Sequence, residues 1–226
     1  MAAIASLPLA TPVHSADLER PVLLELFTSQ SCSSCPPADA LLGELAGQPD
    51  VLALSFHIDY WNDLGWVDRL SAPAFTARQQ AYAQRHGFQV YTPQLVVDGR
   101  SDVVGSDRAA VGAAIAGALR QEQGAPASIR RANGAAAISI GTVEGGAEGE
   151  VYLLSFDPSR SADIRGGENG GSRLVYTNVV RSLRRIGHWR NQQFTRVEPL
   201  HADETGTRLA LIVQGADDRV WAVASN

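Results

Sequence analysis

The chain predicts an α/β unit, a mixed sheet flanked by helices, followed by a small all-β, sandwich-like unit. From Pro21 to about Gly124, strand-like and helix-like segments alternate in the βαβ manner. From Ser128 onward, short strand-like runs are separated by Gly-rich turns, and helical periodicity is lost. Gly124-Ala125-Pro126 marks the join, so two units are expected, 21–124 and 128–226. The charge changes there as well: residues 1–125 carry thirteen carboxylates against seven arginines, the remainder eleven against twelve.

In the first unit, Val22 to Phe27 is a short apolar strand. Pro36 and Pro37 suit a first helical turn, and Ala38, Leu41, Leu42 and Leu45 follow at helical spacing up to Gly47. Val51 to His57 predicts a second strand. Ser71 to His86 predicts a helix with Pro73 in its first turn, Phe75, Gln79 and Tyr82 on one face, and Gly87 as its stop. Tyr91 to Gly99 is a strand opened by proline and closed by Asp-Gly, the hairpin signal, with Ser101 to Val104 as its partner. Ser106-Asp107 caps an alanine-rich helix to about Gln121 that carries Val111, Ile115 and Leu119. In the second unit, strands are expected at Ala135 to Ile140, Glu150 to Phe156, Arg173 to Arg181, Phe194 to Pro199 and Thr207 to Gln214.

Composition narrows the function. Of 226 residues, 45% are apolar and 19% charged, which suits a folded chain with a sizeable core. A net charge of −5 lacks the basic footprint of a nucleic-acid binder. All 19 basic residues are arginine, which removes Schiff-base and P-loop lysine chemistry. No apolar run approaches the ~18 residues of a membrane span. Met1 to Ala16 ends in Val13-His14-Ser15-Ala16 and reads as an export-signal remnant, or else a disordered tail, so a periplasmic or secreted location is expected.

The two cysteines, Cys32 and Cys35, have C-x-x-C spacing between a strand and a helix. At a helix N-terminus, unpaired N–H groups and the dipole favour a thiolate, which makes Cys32 the candidate nucleophile. Cys35 is then placed to attack a mixed disulfide and release the partner. A parallel second strand delivers His57 and Asp59 to the same sheet end, and a returning third strand starts there at Thr92-Pro93. A cis peptide at Thr92-Pro93 would present the Thr92 backbone to a substrate peptide.

These features resemble the thioredoxin fold over residues 21–122. Glu25-Leu-Phe-Thr-Ser-Gln-Ser-Cys-Ser-Ser-Cys-Pro-Pro-Ala-Asp, His57-Ile-Asp-Tyr-Trp-Asn-Asp-Leu-Gly-Trp, Arg165-Gly-Gly-Glu-Asn and Asn178-Val-Val-Arg are similar to a narrower group. That group is a bacterial family of secreted thioredoxin-like proteins catalogued as domain of unknown function 1223. The resemblance implies a redox-active Cys32–Cys35 disulfide with no other cofactor, Pro93 as the cis-proline and Glu25 as a buried acid taking the resolving thiol's proton. It implies thiol–disulfide exchange on protein thiols or small thiols and leaves its direction open, because Ser33-Ser34 replaces the Gly-Pro of thioredoxin.

Other readings stand beside this one. The cysteines could form a structural clip in a binding module, or hold Cu(I) or Zn(II) with His57 or Asp59. His57 reads as a strand-end histidine bonded to a backbone carbonyl, with a ligand or acid role as the alternative. Trp61 and Trp66 read equally as a substrate lip or as loop packing. Asp59, Asp63 and Asp68 read as solvated or capping residues, because a calcium loop's Gly and terminal Glu are missing. Arg181, Arg184, Arg185 and Arg190 read as a solvated strand face, with pairing to Glu168 or binding of an anionic partner as alternatives. Gly166 to Gly171 reads as a flexible connection.

Overall fold

A computed structural model describes residues 20–121 and 124–226; the export-signal reading of 1–16 lies outside them. Strand β1 (Val22–Thr28) leads through the cysteines into α1 (Pro36–Leu45), then β2 (Val51–His57) and α2 (Pro73–His86). Strands β3 (Gln94–Val97) and β4 (Ser101–Val104) form a hairpin, and α3 (Arg108–Leu119) closes this half. The hairpin turns at Asp98 and Gly99, both with positive φ. Asp107 caps α3 by accepting from the Ala109 and Ala110 N–H groups. The second half is all strand apart from one 3-10 turn: β5 (Ala127–Ala132), β6 (Ala135–Ile140), β7 (Gly149–Asp163), β8 (Arg173–Trp189), β9 (Phe194–Pro199), β10 (Arg208–Gln214) and β11 (Val220–Ser225).

The strands of the second half divide between two sheets. β7, β8, β10 and β11 continue the sheet begun by the first half, giving the order β11-β10-β7-β8-β2-β1-β3-β4, while β5, β6 and β9 form a small sheet of their own. The result, among the described residues, is a mixed α/β architecture with one large mixed sheet and three α-helices. β1 pairs parallel with β2 and antiparallel with β3, and the two halves join where β2 meets β8 at Ser55 and Val179. Asn178 reinforces this seam by donating to the Ala53 carbonyl at 2.9 Å.

Side-chain alternation along β1 decides which face each residue serves. Val22, Leu24 and Leu26 face α1 and α3, whereas Leu23 and Phe27 face a core shared with Leu154, Phe156, Val180, Ala210, Ile212 and Val223. Gly124–Pro126 therefore separates a helix-bearing half from an all-strand half without separating two cores. A third cluster packs the small sheet onto β7, β10 and β11.

Four strands exceed the expectations from sequence. β7 and β8 form a hairpin 15 and 17 residues long, where shorter strands are predicted, and β5 and β11 have no counterpart in the predicted set. The hairpin runs past β2 toward the cysteine end of the sheet, and its tip, 164–172, is the segment read above as a flexible connection.

Candidate functional site

Cys32 and Cys35 are joined in a disulfide, with Cα atoms 5.4 Å apart. Helix α1 begins at Pro36 with Cys35 as its N-cap residue, so Cys32 stands in the turn leading in rather than at the helical N-terminus. The Cys32 N–H donates to the Ser29 carbonyl and the Cys35 N–H to that of Cys32. Ser33 and Ser34 are exposed, with Ser34 Oγ 3.3 Å from Cys32 Sγ. Thr92-Pro93 is a cis peptide. A Cβ built on Gly105 would lie 3.2 Å from Ala38 Cβ and 3.6 Å from Pro93 Cβ, which places Pro93 across Gly105 from the first turn of α1.

The disulfide is covered: Cys32 is 1% exposed and Cys35 0%. The tip of the β7–β8 hairpin supplies much of the cover. Glu168 accepts the Ser33 N–H at 2.9 Å, and hydrogen bonding from Ser33 holds its carboxyl below the usual carboxylate range. Asn169 Nδ2 donates to the carbonyls of both Gln30 and Cys32, each at 2.9 Å. Gly166 and Gly167 let this tip lie against the Gly65-Trp66 loop: a Cβ on Gly166 would meet the Gly65 carbonyl oxygen at 2.4 Å, and Gly167 has φ +66°. Trp66 completes the wall. Its indole donates to Gln30 Oε1 at 2.8 Å, and its carbonyl accepts from the Ser31 hydroxyl.

On the α1 side of the sheet, beneath the disulfide, lies a buried polar cluster. His57 Nδ1 is 2.7 Å from Asp68 Oδ2, both side chains are inaccessible, and the His57 ring packs edge-on against Tyr176 at 4.6 Å. Asp68 also accepts the N–H groups of Gln30 and Leu70, so it is an internal anchor, not a solvated residue. Asp39, one helical turn beyond Cys35, is buried among these groups. Burial pushes its carboxyl up to about 7, against the downward pull of His57 and Thr28 and with an upward push from Asp68. His57 Nε2 and the Tyr176 hydroxyl have no hydrogen-bond partner among the described residues.

The remaining predicted residues fall elsewhere. Glu25 points to the opposite face of β1, where Arg78 grips it through two nitrogens, at 2.6 and 3.1 Å, and the Tyr82 hydroxyl donates to it at 2.5 Å. It is therefore not the acid beneath Cys35. Asp59 accepts the Thr76 hydroxyl at 2.6 Å and so ties the β2 exit to α2. Trp61 packs on the shared core as loop packing, and His57 bonds a carboxylate rather than a backbone carbonyl. In the basic cluster, Arg184 is paired with Glu198 and Glu204, Arg185 with Glu150 and Arg181 with Asp157; Glu168 is not among their partners. Among the described residues, no group of three or more His, Cys, Asp or Glu side chains is arranged to hold a metal ion. No described helix is long and apolar enough to cross a membrane.

Sequence reasoning missed Asp39, Glu168 and Asn169. The last two stand in the quoted Arg165-Gly-Gly-Glu-Asn segment, and Asp39 closes the quoted cysteine segment; Glu168 was weighed only as a partner of the arginine cluster, and the other two had no role.

A disulfide between β1 and α1, with a cis-proline near the first turn of α1 and a hairpin tip bonded to the Cys32 segment, defines the site. The chain belongs to the family described as protein of unknown function (DUF1223), whose model matches residues 23–214. It is similar to the crystal structure of protein AGR_C_4864 from Agrobacterium tumefaciens: 30% identity, TM-score 0.76, covering 91% of this chain and 92% of that one. HBP35 of Porphyromonas gingivalis is similar in fold, with 13% identity, TM-score 0.64 and coverage of 92% and 75%. The search of curated proteins gave no match.

Proposed function

We propose that this protein is an exported thiol–disulfide oxidoreductase, with a thioredoxin-like arrangement in its first half and Cys32 and Cys35 as the exchanging pair. The observation that carries this reading is the disulfide itself, at the entry to α1, with the cis Thr92-Pro93 peptide on the same side as that helix's first turn. The pair carries two electrons, so the exchange needs no further cofactor.

A partner thiolate attacks Cys32 Sγ, the Cys32–Cys35 bond breaks, and its electron pair leaves on Cys35. In reverse, Cys35 must lose a proton before it attacks Cys32 Sγ of the mixed disulfide and expels the partner thiolate. Asp39 takes that proton. Helical side chains lean toward the N-terminus, so a carboxyl one turn beyond Cys35 leans back over its turn. An acceptor near 7 suits exchange around neutrality. The Thr92 backbone positions a partner beside Cys32.

Substituting each cysteine tests the reading. Cys32→Ser should abolish turnover in a thiol–disulfide exchange assay, and Cys35→Ser should accumulate mixed disulfides seen by intact mass. Equal activity in both variants and the parent chain would overturn it. The burial of Cys32 favours one rival, a binding module with a structural clip, which predicts a disulfide inert to mild reductants in the native state.

A further inference from the structure

A cleft of about 450 Å³ opens beside the cover, lined by Gln30, Trp66, Leu70, Arg69, Arg160 and Arg165 together with the end of β7. One of its lining residues, Gln30, belongs to the segment that leads into Cys32. Gln30 lies two residues before Cys32, its side chain accepts the Trp66 indole N–H, and its carbonyl shares the Asn169 amide nitrogen with the carbonyl of Cys32. Arg165 immediately precedes the glycines of the hairpin tip.

The charges in this cleft are not balanced. Arg160 is held by Asp157 at 2.6 Å, and Asp163, the carboxylate in the wall, lies 3.4 Å from Arg173. Arg69 and Arg165 have neither an ion pair nor a hydrogen bond among the described residues. Two unpaired guanidinium groups over a Trp–Leu floor suit carboxylates carried on a small organic body. The volume lies within the range of small-molecule sites.

We propose that this cleft binds a low-molecular-weight thiol carrying carboxylates and presents it to Cys32, so that the exchange partner is a small anionic thiol rather than a protein. The inference rests on the exchange reading above. The bound thiolate attacks Cys32 Sγ to form a mixed disulfide, and the Cys32–Cys35 electron pair leaves on Cys35, which takes up a proton. A second thiol molecule then attacks the mixed disulfide, releasing the ligand as its symmetrical disulfide and leaving both cysteines reduced.

The test follows reduction of the oxidised full chain by glutathione, 2-mercaptoethanol and cysteamine, which are anionic, neutral and cationic respectively. Each rate is taken per thiolate and divided by that of the same thiol with a small model disulfide. Two exposed arginine–carboxylate contacts predict about a tenfold preference for glutathione over 2-mercaptoethanol. In the Arg69→Ala/Arg165→Ala double variant the preference should fall to about twofold or less while the 2-mercaptoethanol rate is unchanged. Arg165→Glu should shift the preference toward cysteamine. Equal corrected rates for the three thiols, or a glutathione preference that survives in the double variant, overturn the proposal and leave the exchange reading standing. A disulfide inert to all three overturns both.

Discussion

Asp39 shows how a single residue can matter more than its sequence position suggests. An acidic residue in a first helical turn ordinarily complements the helix dipole at the surface, and only the fold reveals that β2 and β8 bury this one. Glu25 is the opposite case, because strand alternation groups it with Leu23 and Phe27 rather than with Leu24 and Leu26, so its face was legible in the sequence. The perturbed Asp39 carboxyl makes a linkage prediction. It holds its proton in the folded protein up to about pH 7, whereas the unfolded chain releases it near 3.8. The folded state is thus favoured in this respect below pH 3.8, loses that advantage as the pH rises toward 7, and is level above. At about 1.4 kcal/mol per unit, the span is on the order of 4 kcal/mol. Asp39→Asn should therefore gain stability relative to the parent chain between pH 4 and 7, as read from urea midpoints of the oxidised proteins. Parallel stability curves would contradict the assignment. In exchange assays the same variant should lose the inflection near neutrality in the rate at which Cys35 releases a trapped partner.

The decisive element is the β7–β8 hairpin. Sequence patterning ends β7 at Phe156, because Pro158 lacks an N–H for a ladder. The hairpin nonetheless carries on beyond it, with the register stepping from Asp157 opposite Val179 to Ser159 opposite Thr177. Asn178, opposite the proline, takes positive φ and turns its amide to the Ala53 carbonyl. The longer hairpin is what brings Glu168 and Asn169 over the disulfide, and no local signal in a Gly-rich segment announces such a distant contact. Each Asn169 hydrogen bond contributes about 0.5–1.5 kcal/mol net, so losing both should populate the uncovered state about tenfold more. Asn169→Ala is accordingly expected to be reduced about tenfold faster by dithiothreitol, with its thermal midpoint within a few degrees of the parent's. An unchanged reduction rate would show that the hairpin tip does not control access to Cys32.

Across the whole molecule, the order of elements from β1 to α3 was legible in apolar spacing, the prolines that open helices, and the Asp98-Gly99 turn. What the sequence left open was the joining of the halves. Alternation in β7, β8 and β10 marks buried faces but not the sheet edge on which a strand will pair, so a separate sandwich was the natural expectation. Instead β8 pairs with β2, and residues of both halves fill one core. This sharing bears on function, because the half that carries the cysteines and the half that covers them are held in one sheet. The central claim is that the covered disulfide is an exchanging pair, and its reduction potential tests this most directly, measured by equilibrating the metal-free protein in glutathione and dithiothreitol buffers and quantifying free thiols. An exchange catalyst should give a value of roughly −270 to −120 mV. A value well below about −300 mV would mark Cys32–Cys35 as a structural clip and contradict the claim.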